Sequence, residues 1–149
     1  MPKEVKAVKN LKKEIQKKYM QLQIFQQQMS AYAEEKGAID EKIVETTITI
    51  SAIKELGTVQ LKNEMWSSLG TGTFVRSDIK DKEQVLLSVG AGIVIKVSRE
   101  RAEEVLRKRI DQLGELDRSL MQEINRLGTE AEKIEHELQS LIEQSEKNE

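Results

Sequence analysis

Apolar side chains recur in the first part of the chain at steps of three and four. Val8, Leu11, Ile15, Leu22, Phe25, Met29, Tyr32, Ile39, Ile43, Ile50 and Ile53 share one unbroken heptad phase, interrupted only by Lys18, Lys36 and Thr46. A second phase holds Leu106, Ile110, Leu113, Leu120, Ile124, Leu127, Ala131, Ile134, Leu138 and Leu141, with Asp117 as its one break. Repeats of this length predict coiled-coil helices. At about 1.5 Å per residue the seams run roughly 70 and 50 Å, too long for the helices of a compact bundle. The sole proline is Pro2, so no strong helix breaker follows it. The run Thr46, Thr47, Ile48, Thr49, Ile50 has strand propensity, but the heptad phase passes through it and the segment is read as helix. The four interruptions are read as fixing register or allowing bending. Gly37, Gly114 and Gly128 weaken the helices locally.

Between the helices the period changes from 3.5 to 2. Gly70, Gly72, Gly90 and Gly92 gather there, and strands are expected at 65–69, 72–79, 84–89 and 92–97, with Lys80, Asp81, Lys82 and Glu83 forming a polar turn. The stretch Ser68-Leu69-Gly70-Thr71-Gly72-Thr73-Phe74-Val75-Arg76 matches Ser88-Val89-Gly90-Ala91-Gly92-Ile93-Val94-Ile95-Lys96 at an offset of 20. Each copy is a strand, a Gly-x-Gly corner and a second strand. Glycines at such corners permit positive φ or close backbone approach, so two similar hairpins are expected. The second helix then begins near Ser98, an N-cap residue with Glu100 in the first turn.

Composition narrows the possible chemistry. Charged residues make up 34% of the chain, aromatics 3%, and the net charge of -2 offers no overall field for nucleic acid or an anionic membrane. With no cysteine and one histidine, His136, the usual nucleophile and metal constellations cannot be assembled, so neither an enzyme nor a cofactor is expected. The Gly-x-Gly pairs are not a dinucleotide loop, because Val75 and Ile95 stand where a third glycine belongs and strands follow. No apolar run is long enough to span a bilayer and no apolar h-region follows the lysine-rich start, so a cytoplasmic protein is expected.

Charge also bears on how the helices pair. Residues 1–18 hold seven lysines and two glutamates, and residues 130–149 hold seven glutamates and two lysines. An antiparallel hairpin sets these ends side by side, where opposite charges select orientation more than they stabilise. Measured outward from the strands, the first seam then overshoots the second by roughly six to ten residues, about 9 to 15 Å at helical rise. Val5, Val8 and Leu11 lack intramolecular apolar partners there, and with Ile15, Leu138, Leu141 and Ile142 they form a candidate binding tip.

Heptads, two Gly-x-Gly strand pairs (Leu69-Gly70-Thr71-Gly72-Thr73-Phe74-Val75 and Leu87-Ser88-Val89-Gly90-Ala91-Gly92), then heptads again resemble the alpha class of prefoldin, the cytosolic co-chaperone of archaea and eukaryotes. The resemblance covers nearly the whole chain. One departure is Met65-Trp66-Ser67-Ser68, where alpha subunits often carry an apolar-Val-Pro step, as in a divergent alpha paralogue.

The resemblance implies an α+β fold: a long antiparallel two-helix coiled coil with a central four-stranded β region, in two hairpins, that joins an inter-subunit β-barrel. One prefoldin-type domain is expected over 1–149, divided into a helix at 1–56, an assembly region at 57–97 and a helix at 98–149. It also implies a holdase that works without ATP, two alpha subunits with four beta subunits, unfolded client proteins held at coiled-coil tips, and transfer to a group II chaperonin. Subunit assembly then falls to Trp66, Leu69, Gly70, Gly72, Phe74, Val75, Val85, Leu87, Val89, Gly90, Gly92, Ile93 and Ile95. Trp66 is read as either an interface anchor or sheet core. The alternative is a structural coiled-coil scaffold or a filament-forming relative, in which the helices only space other modules.

Overall fold

A computed structural model of the chain describes residues 2–148. Helix α1 (Pro2–Leu56) is followed by strands β1 (Glu64–Gly70), β2 (Thr73–Asp78), β3 (Gln84–Gly90) and β4 (Ile93–Ser98), then helix α2 (Arg99–Lys147). The fold is α+β, with two long helices and, between them, two antiparallel hairpins, β1–β2 and β3–β4. No expected strand edge is off by more than one residue.

Helix α1 is unbroken through its threonine-rich stretch, where the hydroxyls turn back on their own helix. Thr46, Thr47 and Thr49 donate to the carbonyls of Lys42, Ile43 and Glu45 at 2.7, 2.8 and 2.9 Å. Such bonds satisfy the hydroxyls within the helix, and burial of Thr46 and Ile50 on the seam outweighs the strand propensity of the run. At the start of α2, the Ser98 hydroxyl accepts from the Arg101 amide at 3.1 Å, which satisfies one of the orphan donors of the first turn.

Contacts divide the chain into two compact units, Glu41–Gly114 and the stretches flanking it. In the central unit Ile50, Leu87 and Leu106 form a small core, with Ile53, Val97, Val105 and Ile110 packed against it. The β3–β4 hairpin therefore rests one face on both helices. The end of α1 is tied down beside it. Lys82 Nζ donates to the Val59 carbonyl at 3.3 Å, a cation placed where the helix dipole favours one. The Arg99 guanidinium occupies the space a side chain on Gly57 would need, so a substitution there displaces that guanidinium.

In the flanking unit the outer parts of α1 and α2 run antiparallel. Lys18 meets Glu137, Met29 Sδ lies 4.0 Å from where a Cβ on Gly128 would stand, and Lys36 Nζ is 3.1 Å from Asp117 Oδ1. Every position of both heptad phases is buried or half-buried, from Val8 to Ile53 and from Leu106 to Leu141. Leu127, at 1% exposure, is the most completely buried large side chain.

Candidate functional site

The two hairpins turn in the same way. Thr71 and Gly72 have φ of 50° and 74°, Ala91 and Gly92 have 52° and 73°, so both corners are two-residue turns with left-handed backbone at each central position. Gly70 and Gly90, at 103° and 101°, add a bulge, and the register shifts between Ser68 and Gly70 and between Ser88 and Gly90. Leu69 and Val89 fall in these shifts and both are exposed.

Register assigns the faces. Cross-strand partners share a face, so Trp66 with Arg76 and Ser68 with Phe74 lie on one side of β1–β2, and Met65 with Ser77 and Ser67 with Val75 on the other. Trp66 is 65% exposed. The Arg76 guanidinium carbon stands 5.8 Å from its ring centroid, and Arg76 is held by Glu64 at 2.7 Å. Phe74, Met65 and Val75 are exposed as well, so this hairpin shows apolar groups on both faces. On β3–β4 the face bearing Val85, Val97, Leu87 and Ile95 meets the helices, and the opposite face presents Leu86, Val94 and Lys96.

Of the residues assigned to assembly from sequence, Trp66, Leu69, Phe74, Val75, Val89, Ile93 and Ile95 are exposed, Gly70, Gly72, Gly90 and Gly92 shape the corners, and Val85 and Leu87 turn toward the helices of their own chain. Met65, Leu86 and Val94 are exposed strand residues that the sequence reading left out. Strict alternation from buried Leu87 points to Leu86, and pairing with Ser88 to Val94.

At the other candidate site, four residues outward from the Lys18–Glu137 contact, Leu141 comes level with Glu14. Helix α2 continues to Lys147, but beyond Ile142 it offers only polar side chains. Val8, Leu11 and Ile15 are half-buried, Val5 is 63% exposed, Leu138 is buried, and Leu141 and Ile142 are half-buried. A shallow groove of about 320 Å³ is lined by Val5 and Val8 with Glu4, Lys9 and Lys12, all from α1. Among the described residues, Lys18–Glu137 is the one ion pair joining the lysine-rich and glutamate-rich ends. The other described charges at these ends lie off the seam, and all but the half-buried Glu130 are exposed.

Lys36, the other lysine in the α1 seam, pairs with Asp40 at 3.0 Å and Asp117 at 3.1 Å. The hydrogen bond to Asp40 first, and the adjacent Asp117 carboxylate second, hold its pKa above the usual lysine value. Among the described residues no group of acidic, histidine or cysteine side chains is placed to hold a metal, and no helix is long and apolar enough to cross a membrane.

The prefoldin subunit family model matches residues 25–144. The chain belongs to the prefoldin family. Prefoldins are chaperones rather than known enzymes, and their members are subunits of an oligomer. The chain is 27% identical over 129 residues to prefoldin subunit alpha of Methanococcus vannielii, covering 87% of this chain and 86% of that one. It is 26% identical over 128 residues to prefoldin subunit alpha of Archaeoglobus fulgidus, covering 85% and 92%. Its fold matches a cryo-EM structure of filamentous prefoldin from Methanocaldococcus jannaschii, with a TM-score of 0.74 at 21% identity, covering 80% of this chain and 98% of that one. The tip residues Val5, Val8, Leu11 and Ile15 precede the part that matches the prefoldin family model.

Proposed function

We propose that this prefoldin subunit is a cytoplasmic holdase that captures unfolded proteins at the outer ends of its helices, without ATP, and passes them to a group II chaperonin. The observation that carries the reading is the α1 seam continuing past the last apolar residue of α2, with Val5 exposed and Val8 beside it in a groove lined by α1 residues. Two or three aliphatic groups, partly buried by a client, supply about 3 to 5 kcal/mol, which is only about millimolar affinity. Several arms on one client raise this by about 10² to 10⁴ without new contacts. Assembly is therefore part of the mechanism.

The hairpins are suited to that assembly. An isolated two-stranded hairpin is marginal in water, and apolar faces with open edges invite another chain. In this reading Trp66, Leu69, Phe74, Val75, Val89, Ile93 and Ile95 contact neighbouring subunits in a β-barrel platform, in a particle of two alpha and four beta subunits. The test is the complete particle, mixed with a chemically unfolded client in the absence of nucleotide. Suppressed aggregation that is lost when the first 12 residues are removed supports capture at this end; suppression by the assembled truncated particle rejects it.

A second reading, a scaffold or filament, is favoured by the likeness to a filamentous prefoldin and by hairpins with open edges at both ends of the strand series. Light scattering separates the two: a closed particle of about six chains supports the holdase, and open-ended growth without client protection supports the filament.

A further inference from the structure

We propose that Lys36, Asp40 and Asp117, seconded by Lys18 with Glu137, form a register lock that sets how α1 and α2 slide against each other and so how much of the α1 seam stands without an apolar partner. Lys36 and Asp117 are each a heptad-breaking residue, on opposite helices, and they break the two seams at the same level. Both are largely withdrawn from water, with side-chain exposures of 27% and 24%, and Asp117 Oδ1 is shielded completely. A shielded carboxylate oxygen is costly unless a cation stays beside it.

Sliding α2 by one heptad shows what the pair excludes. In one direction Lys36 meets Ile124 and Asp117 meets Ile43; in the other Lys36 meets Ile110 and Asp117 meets Met29. Both alternatives leave Asp117 among apolar side chains with no cation beside it and Lys36 with Asp40 alone, while the remaining seam residues, nearly all aliphatic, pack about equally well in any register. The Ile50–Leu87–Leu106 core ties the inner ends of the helices, and along the outer coil, where the apolar seam attracts with little preference between heptads, the charged pair adds that preference. Lys18 adds a second point: the same slips bring it near Gln144 or Glu130, so only one of them keeps a carboxylate beside it.

The consequence for the outer end rests on the holdase reading, whereas the register itself does not, and the experiment reads the register alone. The chain has no cysteine, so M29C paired in turn with G128C, M121C or E135C reports the observed register and the two slips. A short bis-maleimide is applied to the full chain in its assembled state. The background sequence is expected to crosslink at position 128. In K36L/D117L, crosslinking at 121 or 135 is expected to rise about tenfold, the change that ~1.4 kcal/mol of lost discrimination produces. The charge swap K36D/D117K keeps one lysine with two carboxylates and is expected to restore crosslinking at 128 only. If K36L/D117L still crosslinks solely at 128, the lock is overturned. If that variant loses helicity, K36D replaces it: three carboxylates then crowd the site, and crosslinks at 121 or 135 no more frequent in K36D than in the swap overturn the proposal.

Discussion

Lys36 and Asp117, the charged residues that interrupt the apolar seams of α1 and α2, lie 3.1 Å apart. Each lies where an aliphatic side chain is expected, and each is compensated by the other. The pair is a feature of specificity, because two well-packed aliphatic residues in its place cost nothing in desolvation.

Lys36 also has a pH signature. Its carboxylate partners raise its pKa above 10.5, so its contribution to stability is fully present below that value and is lost as pH rises through the raised one. Thermal melts of the wild type and K36M are expected to differ near neutral pH and to converge above pH 10.5. A difference that stays constant through that window contradicts the assignment.

Leu127 is the deepest large side chain. L127A is expected to cost ~2 to 4 kcal/mol, through lost transfer energy and a cavity the helices only partly close. By contrast L116A, at a site 54% exposed, is expected to change stability by less than about 0.5 kcal/mol. Denaturant unfolding checks both, and equal effects contradict the assigned burial.

Two glycines answer the same substitution with opposite signs. Gly72 has φ of 74°, so G72A forces a side chain into the left-handed region at about 1 to 2 kcal/mol. Gly37 lies within α1 with nothing within 4 Å of a would-be Cβ, so G37A is expected to stabilise by about 0.5 to 1 kcal/mol. Hydrogen exchange at residues beside Gly37 is expected to slow in G37A. Destabilisation by G37A contradicts the open surroundings assigned to that site.

The hairpin faces predict an effect on mass rather than on folding. W66S/F74S removes two exposed aromatics from one face of β1–β2 and leaves the Ile50–Leu87–Leu106 core intact. Light scattering is expected to show the assembled mass falling toward the single chain, with helical circular dichroism unchanged. Full assembly of this variant removes that face from the interface.

Much of this was legible because one physical signal dominates each segment. Every heptad position from Val8 to Ile53 is at least half-buried, since only that stripe of α1 meets another helix. The Gly70-x-Gly72 and Gly90-x-Gly92 corners were legible because only positive φ closes such turns. Facing within β3–β4 was not. Val85, Leu87 and Ile95 look alike in sequence, and the helices above the sheet decide that Leu87 is core while Ile95 remains 41% exposed. The clasp of Lys82 and Arg99 around Gly57 was also missed, because it joins residues far apart in sequence with no periodic signal. The opposed charges of the two ends pointed to an antiparallel orientation but not to a partner for each charge; among the described residues of these ends, Lys18, which lies on the seam, is the one that reaches a partner on the other helix.

In the proposed holdase the start of the α1 seam, with Val5 exposed and Val8 and Leu11 half-buried, holds the client. The most direct measurement is aggregation of an unfolded protein in the presence of assembled particles carrying V5S, V8S and L11S together. Loss of protection at unchanged particle mass and helicity is the expected result, and undiminished protection by that particle contradicts it.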